Sequence, residues 1–179
     1  MASARRQVTL GRHDGLIVVD VQRCFLPGGS LAVPDGDRVI GPLNRTVEKF
    51  QRQQLPVFYA RDWHTPDHIS FQERGGPWPP HCIQDSEGAS FAPGLKVPEN
   101  ATIISKGTRR DEEEYSALAG RDGDRSLKEI LSGSGIERVF VGGRDRLLRA
   151  QYSAGRGERG LPGVSAGRCG KTRECRSGR

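Results

Sequence analysis

Long apolar runs are missing from the 179 residues, and none approaches the roughly 20 needed for a membrane-spanning helix. The opening MASARRQVTL lacks the apolar stretch of a secretory signal, so a cytoplasmic address is the expectation. Cysteine is scarce and unpatterned. Cys24, Cys82, Cys169 and Cys175 show no framework spacing and are expected as reduced thiols, with Cys24 and Cys82 as small buried residues. No second ligand pair accompanies Cys169 and Cys175, which argues against a zinc hook built on them. No internal repeat is present.

Acidic residues are few at one end only. Residues 142–179 hold nine Arg and one Lys against three acids, a net +7, while the whole chain carries +6. The basic excess therefore belongs to this segment and not to the remainder, which is close to neutral. The same 38 residues hold nine of the 24 glycines, and their apolar residues follow no period. Such a composition cannot bury enough surface to order itself, so 143–179 is expected to be a disordered tail behind a folded 1–142. Nucleic-acid binding through the basic tail ranks last among the readings, because charge without interleaved aromatics or a recognisable module is weak evidence.

What is present before the tail alternates strands with amphipathic segments. LIVVD (16–20) is a continuous apolar run of the kind covered on both faces of a sheet, and 56–62, 101–107 and 137–143 read as three more strands. Between the first two, 37–54 places Val39, Ile40, Leu43, Val47 and Phe50 at helical spacing. A short helix over 126–132 is stopped by Gly133 and Gly135. Strand, helix, strand in repetition predicts an α/β fold with a mainly parallel sheet.

Three of these strands end in a charged residue, Asp20, Asp62 and Lys106. In open α/β sheets that edge is where ligands bind, and the long segment 63–100 lies over it. A buried Asp20 needs a partner or a task, and Lys106 is the candidate partner; a purely structural ion pair is the competing reading. Asp62 and His64, two apart, share a strand face. His68 follows four residues later, and His81 arrives from across the loop. One Asp with two or three His suits a divalent Zn, Mn or Fe with open positions, and the competing reading is a surface loop whose histidines cap turns. Phe25 and Trp78 could wall a flat aromatic ligand or simply pack.

The ordered set DVQRCFLPGGSLAVPDGD, RDWHTPDHISF, GGPWPPHC, EGASFAPGL and SKGT…EYSA resembles the nicotinamidase/pyrazinamidase family of isochorismatase-like cysteine hydrolases, over 16–142. IQDSEGA departs from the pattern, standing where the family has a Gly-Thr pair before Gly-Ala. The resemblance implies a three-layer α/β/α sandwich and hydrolysis of nicotinamide to nicotinate and ammonia, a step of NAD salvage. It implies Asp20 and Lys106 as catalytic residues with a Cys nucleophile. By the same match Asp62, His64 and His81 ligate one divalent metal ion, with His68 an additional or outer ligand, and Phe25 and Trp78 wall the pyridine ring. A homo-oligomer is compatible with all of this. A related enzyme acting on another substrate is disfavoured by the metal motif, which that branch lacks.

The nucleophile is the exception. The family carries it after the fourth strand, in a motif close to G-V-A-T-D-Y-C-V, whereas here VGGRDRLLRAQYSAG follows and no Cys occurs between Cys82 and Cys169. With suitably chosen synonymous codons, VGGRDRLLR is GTC GGC GGT CGC GAC CGA CTA CTG CGT. Loss of one G at the Gly142–Gly143 junction turns this into V-G-V-A-T-D-Y-C. The expectation is a one-base frameshift near Gly142, leaving a metal half without its nucleophile, an uncovered strand edge, poor stability and no amidase activity. The alternative is a catalytically dead metal- or ligand-binding relative.

Overall fold

A computed structural model describes residues 9–144 and 147–149. Its sheet comprises β1 (Asp14–Val19), β2 (Val57–Asp62), β3 (Thr102–Lys106), β4 (Arg121–Asp122), β5 (Arg125–Ser126), β6 (Arg138–Gly143) and β7 (Leu147–Arg149). The spatial order is β5-β4-β3-β2-β1-β6-β7. The four central strands run parallel, and the short β4, β5 and β7 add antiparallel pairs at the two edges. The far edge of β6, expected to be uncovered, pairs with β7. Residues 150–179, and with them most of the predicted tail, lie outside the described residues.

Alternation along β1 splits the core into two layers. Leu16 and Val18 pack with Leu43, Val47 and Phe50 of α1 (Ile40–Arg52), together with Leu55 and Tyr59. Ile17 faces the other way, toward Phe58, Ala60, Ile104 and Val139, and toward Leu127, Ile130 and Leu131 of α2 (Leu127–Gly133). Helices therefore cover both faces of the sheet, giving the three-layer α/β/α arrangement.

Both helices are trimmed relative to the sequence pattern. The segment Gly36–Val39 is 3-10, and the chain leaves α1 through Gln54 in a left-handed conformation. Pro56 two residues on disfavours helical backbone at Leu55, so the run cannot continue. Ser126 is not the first turn of α2 but its N-cap. Its hydroxyl accepts from the Glu129 amide while the Glu129 carboxylate accepts from the Ser126 amide, a capping box.

The start of the β1–β6 pair is pinned by charge. Asp14 opposes Arg138, whose Nε donates to Asp14 Oδ1 at 2.7 Å, and the Gly11 amide donates to Oδ2 at 2.7 Å. Burial alone would raise the Asp14 carboxyl, but Arg138 and Gly11 outweigh it and hold it below its ordinary value of 3.8. A lowered folded-state value means that this contribution to stability is complete above 3.8 and is lost as pH falls through the folded value. The stability gap between wild type and Asp14→Asn, measured by urea unfolding, should accordingly be widest near neutral pH. It should close below the ordinary value, and a gap independent of pH would rule the pair out as its cause.

The cysteines depart from expectation. Cys24 and Cys82 are buried as predicted, but they are joined in a disulfide and are not reduced thiols. Their separation of 58 residues gave no spacing signal. The fold brings the turn after β1 against the loop after β2, with Cα atoms 5.8 Å apart, well within the reach of a disulfide. Cys169 and Cys175 lie outside the described residues. Among the described residues no helix is long and apolar enough to cross a membrane.

Candidate active site and metal centre

Parallel pairing places the ends of β1, β2 and β3 at one edge, with Asp62 directly opposite Lys106. Asp20 follows Val19 at φ 56°, its amide donating to the Ala60 carbonyl at 3.0 Å, so that its side chain joins the same edge. All three charged side chains are buried. The Lys106 ammonium lies 3.0 Å from Asp20 Oδ1 and 3.2 Å from Oδ2, and it also donates to Asp62 Oδ1.

Burial would lower the Lys106 amine, but Asp20 and Asp62 outweigh it and raise it. Burial raises Asp20 to about 6 against the pull of Lys106. For Asp62 burial is overcome by Lys106 and His64, and its carboxyl is lowered. The edge thus holds one buried ammonium between two buried carboxyls.

Beside it, single ligand atoms of Asp62, His64 and His81 all lie within 4.8 Å of one another. His64 comes from the residue pair after β2, its amide donating to the Cys82 carbonyl at 3.0 Å. Its Nδ1 donates to the Gly107 carbonyl at 3.2 Å, and His81 Nδ1 donates to the Pro79 carbonyl at 2.8 Å. Each bond fixes a tautomer that leaves Nε2 as the electron-pair donor, the usual outer-sphere arrangement of a metal-binding imidazole. Burial lowers both rings, His64 to about 4, so they are neutral near pH 7. One carboxylate and two neutral imidazoles with fixed tautomers fit a divalent ion of the Zn, Mn or Fe class, leaving positions for other ligands.

Gly107 is required by this packing. A Cβ built there would sit 2.3 Å from the His64 ring, and φ is +64°. His68 is adjacent, its ring centroid 4.4 Å from that of His64, but both of its nitrogens are engaged. Its Nδ1 accepts from the Ser70 amide and bonds Ser70 Oγ at 2.8 Å, and its Nε2 donates to the Glu112 carbonyl at 2.9 Å. Phe71 packs edge-on against His64 and His68 and tilts against His81, closing the floor.

Of the two predicted aromatic walls, Phe25 reaches the site, its ring 5.8 Å from that of His81. The Arg144 guanidinium stacks over Phe25 at 4.2 Å. Trp78, half-buried, is fixed through its backbone to Ser70 and Gln72 and makes no ring contact with Phe25 or the histidines. Sequence reasoning passed over two contributors. Arg144 lies in the basic segment and carried no motif. Gln22 stands inside DVQRCF without periodic or charge signal, yet its side chain is fully buried.

Residues 14–144 match the isochorismatase domain. The chain belongs to the isochorismatase family. Within the family it is 36% identical over 146 residues to the nicotinamidase of Acinetobacter baylyi and 34% identical over 145 residues to that of Escherichia coli. Both alignments cover 72% of this chain, which spans 66% and 68%, about two thirds, of those relatives' lengths. Among solved structures, a Pyrococcus horikoshii pyrazinamidase in complex with zinc superposes with a TM-score of 0.66 at 46% identity, covering 73% of this chain and 70% of the other. A protein of L. infantum in complex with nicotinate gives 0.67 at 38%, covering 76% and 69%.

Proposed function

We propose that this isochorismatase-family chain carries the metal- and substrate-binding half of an amidohydrolase that converts nicotinamide, or a similar pyridine carboxamide, to the acid and ammonia, a step serving NAD salvage. The observation that supports this most is the grouping of Asp62, His64 and His81 on the same sheet edge as the buried Asp20–Lys106 pair. Asp62, His64 and His81 hold the divalent ion, zinc in the first instance, since the P. horikoshii pyrazinamidase was solved in complex with zinc. An ion held there would supply Lewis-acid chemistry to the pyridine carboxamide. Phe25, beside His81, bounds the flat ring. Asp20, its carboxyl raised by burial to about 6 beside the Lys106 ammonium, is suited to take and return a proton. Lys106 keeps a positive charge beside it, of the kind that favours a thiolate or an oxyanion.

What the reading lacks is the attacking group. No Cys stands between Cys82 and Cys169, and Cys82 is tied to Cys24. A frameshift near Gly142 accounts for this, and it divides the chain into a family domain over 1–142 and an unrelated basic tail over 143–179. The purified protein is expected to retain about one equivalent of Zn²⁺ after gel filtration, lost in Asp62→Ala and in His81→Ala. It should release no ammonia from nicotinamide above the protein-free rate. Metal retained equally by both variants would place the ion elsewhere, and sustained ammonia release would show that another group attacks.

A further inference from the structure

β1 ends one rung too early for β2. The last ladder bond between them runs from the Asp20 amide to the Ala60 carbonyl, and β1 then turns away. Asp62 is two residues further along β2, and in a strand the amide and carbonyl of alternate residues face the same neighbour. The amide of Trp63 donates to Lys106 on the β3 side, so both main-chain groups of Asp62 face the side that β1 has vacated. Unpaired there, at a buried ligand, each would be costly.

The primary amide of Gln22 fills the gap. Its Oε1 accepts from the Asp62 amide at 2.8 Å, and its Nε2 donates to the Asp62 carbonyl at 2.8 Å. The second Nε2 hydrogen goes to the Ala89 carbonyl at 2.9 Å, in the 3-10 turn Glu87–Ala89. One side chain therefore reproduces the two bonds of a missing parallel strand and ties the rung to a second loop. That loop is itself laced to the turn after β1, from Arg23 to Ser90 and from Ala92 to Val21.

We infer that Gln22 is a positioning residue for the metal centre, a surrogate peptide group that fixes the backbone of Asp62 and so the direction in which its carboxylate faces His64, His81 and the ion. This rests on the assignment of Asp62, His64 and His81 as ligands. The role is distinct from general packing, because two of its three bonds are to the main chain of the ligand residue itself.

Gln22→Glu keeps the shape and the Oε acceptor but removes the donors to Asp62 and Ala89; Gln22→Leu removes all three bonds. Both are expected to weaken Zn²⁺ binding in a chelator competition by about 10- to 100-fold, the usual cost of losing an outer-sphere partner. Both should alter the visible absorption of the Co²⁺-loaded protein. Tyr59→Phe, three residues before Asp62 on β2, deletes a hydroxyl's bond to the Lys96 carbonyl and no bond of Asp62, so it should lower Tm while leaving Zn²⁺ affinity and the Co²⁺ spectrum unchanged. Should Gln22→Leu not fold, Gln22→Glu decides. A Gln22→Glu protein with wild-type affinity and spectrum, whatever its Tm, overturns the positioning role. A wild-type chain that binds no Zn²⁺ overturns the ligand assignment instead, and this inference with it.

Discussion

Removing one G at the junction of the Gly142 and Gly143 codons is expected to raise the rate of nicotinamide hydrolysis by several decades over that of the present frame. The geometry says why this junction matters. β6 lies beside β1 with Gly143 opposite Val19, so whatever follows Gly143 arrives next to Asp20 and Lys106. In the chain as it stands that arrival is Arg144, whose amide donates to the Val19 carbonyl at 3.2 Å and whose guanidinium covers Phe25. With the synonymous codons chosen above, the shifted frame reads V-A-T-D-Y-C over this stretch, which would bring a thiol toward a lysine ammonium and a carboxyl able to take its proton. Losing the nucleophile of a hydrolase that depends on one costs on the order of a millionfold in turnover. The two frames, purified side by side and assayed for ammonia from nicotinamide, should differ by several decades. Replacing the regained cysteine by alanine should return the rate to background. Equal rates in the two frames would sink the frameshift reading, as would a regained cysteine whose removal changes nothing.

The second large effect is on stability. Lys106→Met should destabilise the metal-free protein by about 3–5 kcal/mol, the cost of stranding buried charge by removing one partner. Lys106 is 4% exposed and pairs with both Asp20 and Asp62, so its loss strips two buried carboxyls of the ammonium they share. The removed volume is replaced by a side chain of similar length, which keeps packing loss small. Adding Asp20→Asn should recover part of the deficit, because one of the two stranded charges is then gone. Guanidinium unfolding of the wild type, the single variant and the double variant measures both terms. A loss below about 1 kcal/mol, the scale of an exposed pair, would mean that water reaches the site freely.

How much of this was legible in the sequence differs from element to element. The four parallel strands announced themselves as short apolar runs alternating with helical spacing, and the charged ends of three of them pointed to the edge where the site lies. Asp62, His64 and His81 were visible as residue types and in order, and the family resemblance sharpened them. The pairing of Lys106 with both carboxyls was half visible, since only Asp20 was proposed as its partner. Two-residue strands such as β4 and β5 carry no period to detect. The Cys24–Cys82 bond could not be seen, because contact between two loops 58 residues apart is a property of the assembled fold. His68 enters from the resemblance as an additional or outer ligand, and the bonds of both its nitrogens to Ser70 and Glu112 are a feature that sequence does not encode. Gln22 was silent for a related reason. A side chain that substitutes for main chain leaves no pattern of hydrophobicity or charge.

The Cys24–Cys82 bond has a topological meaning as well. It closes a covalent ring that contains Phe25, Asp62, His64, Trp78 and His81, while Asp20 and Lys106 stay outside it. Closing a loop of this size removes on the order of 4 kcal/mol of freedom from the unfolded chain in the chain-entropy account. The ring therefore draws the proposed ligands and walls together even before the sheet has formed around them, whereas the Asp20–Lys106 pair depends wholly on strand assembly. The proposed metal ligands and the buried ion pair thus rest on different pieces of chain connectivity: one is stitched, the other only folded.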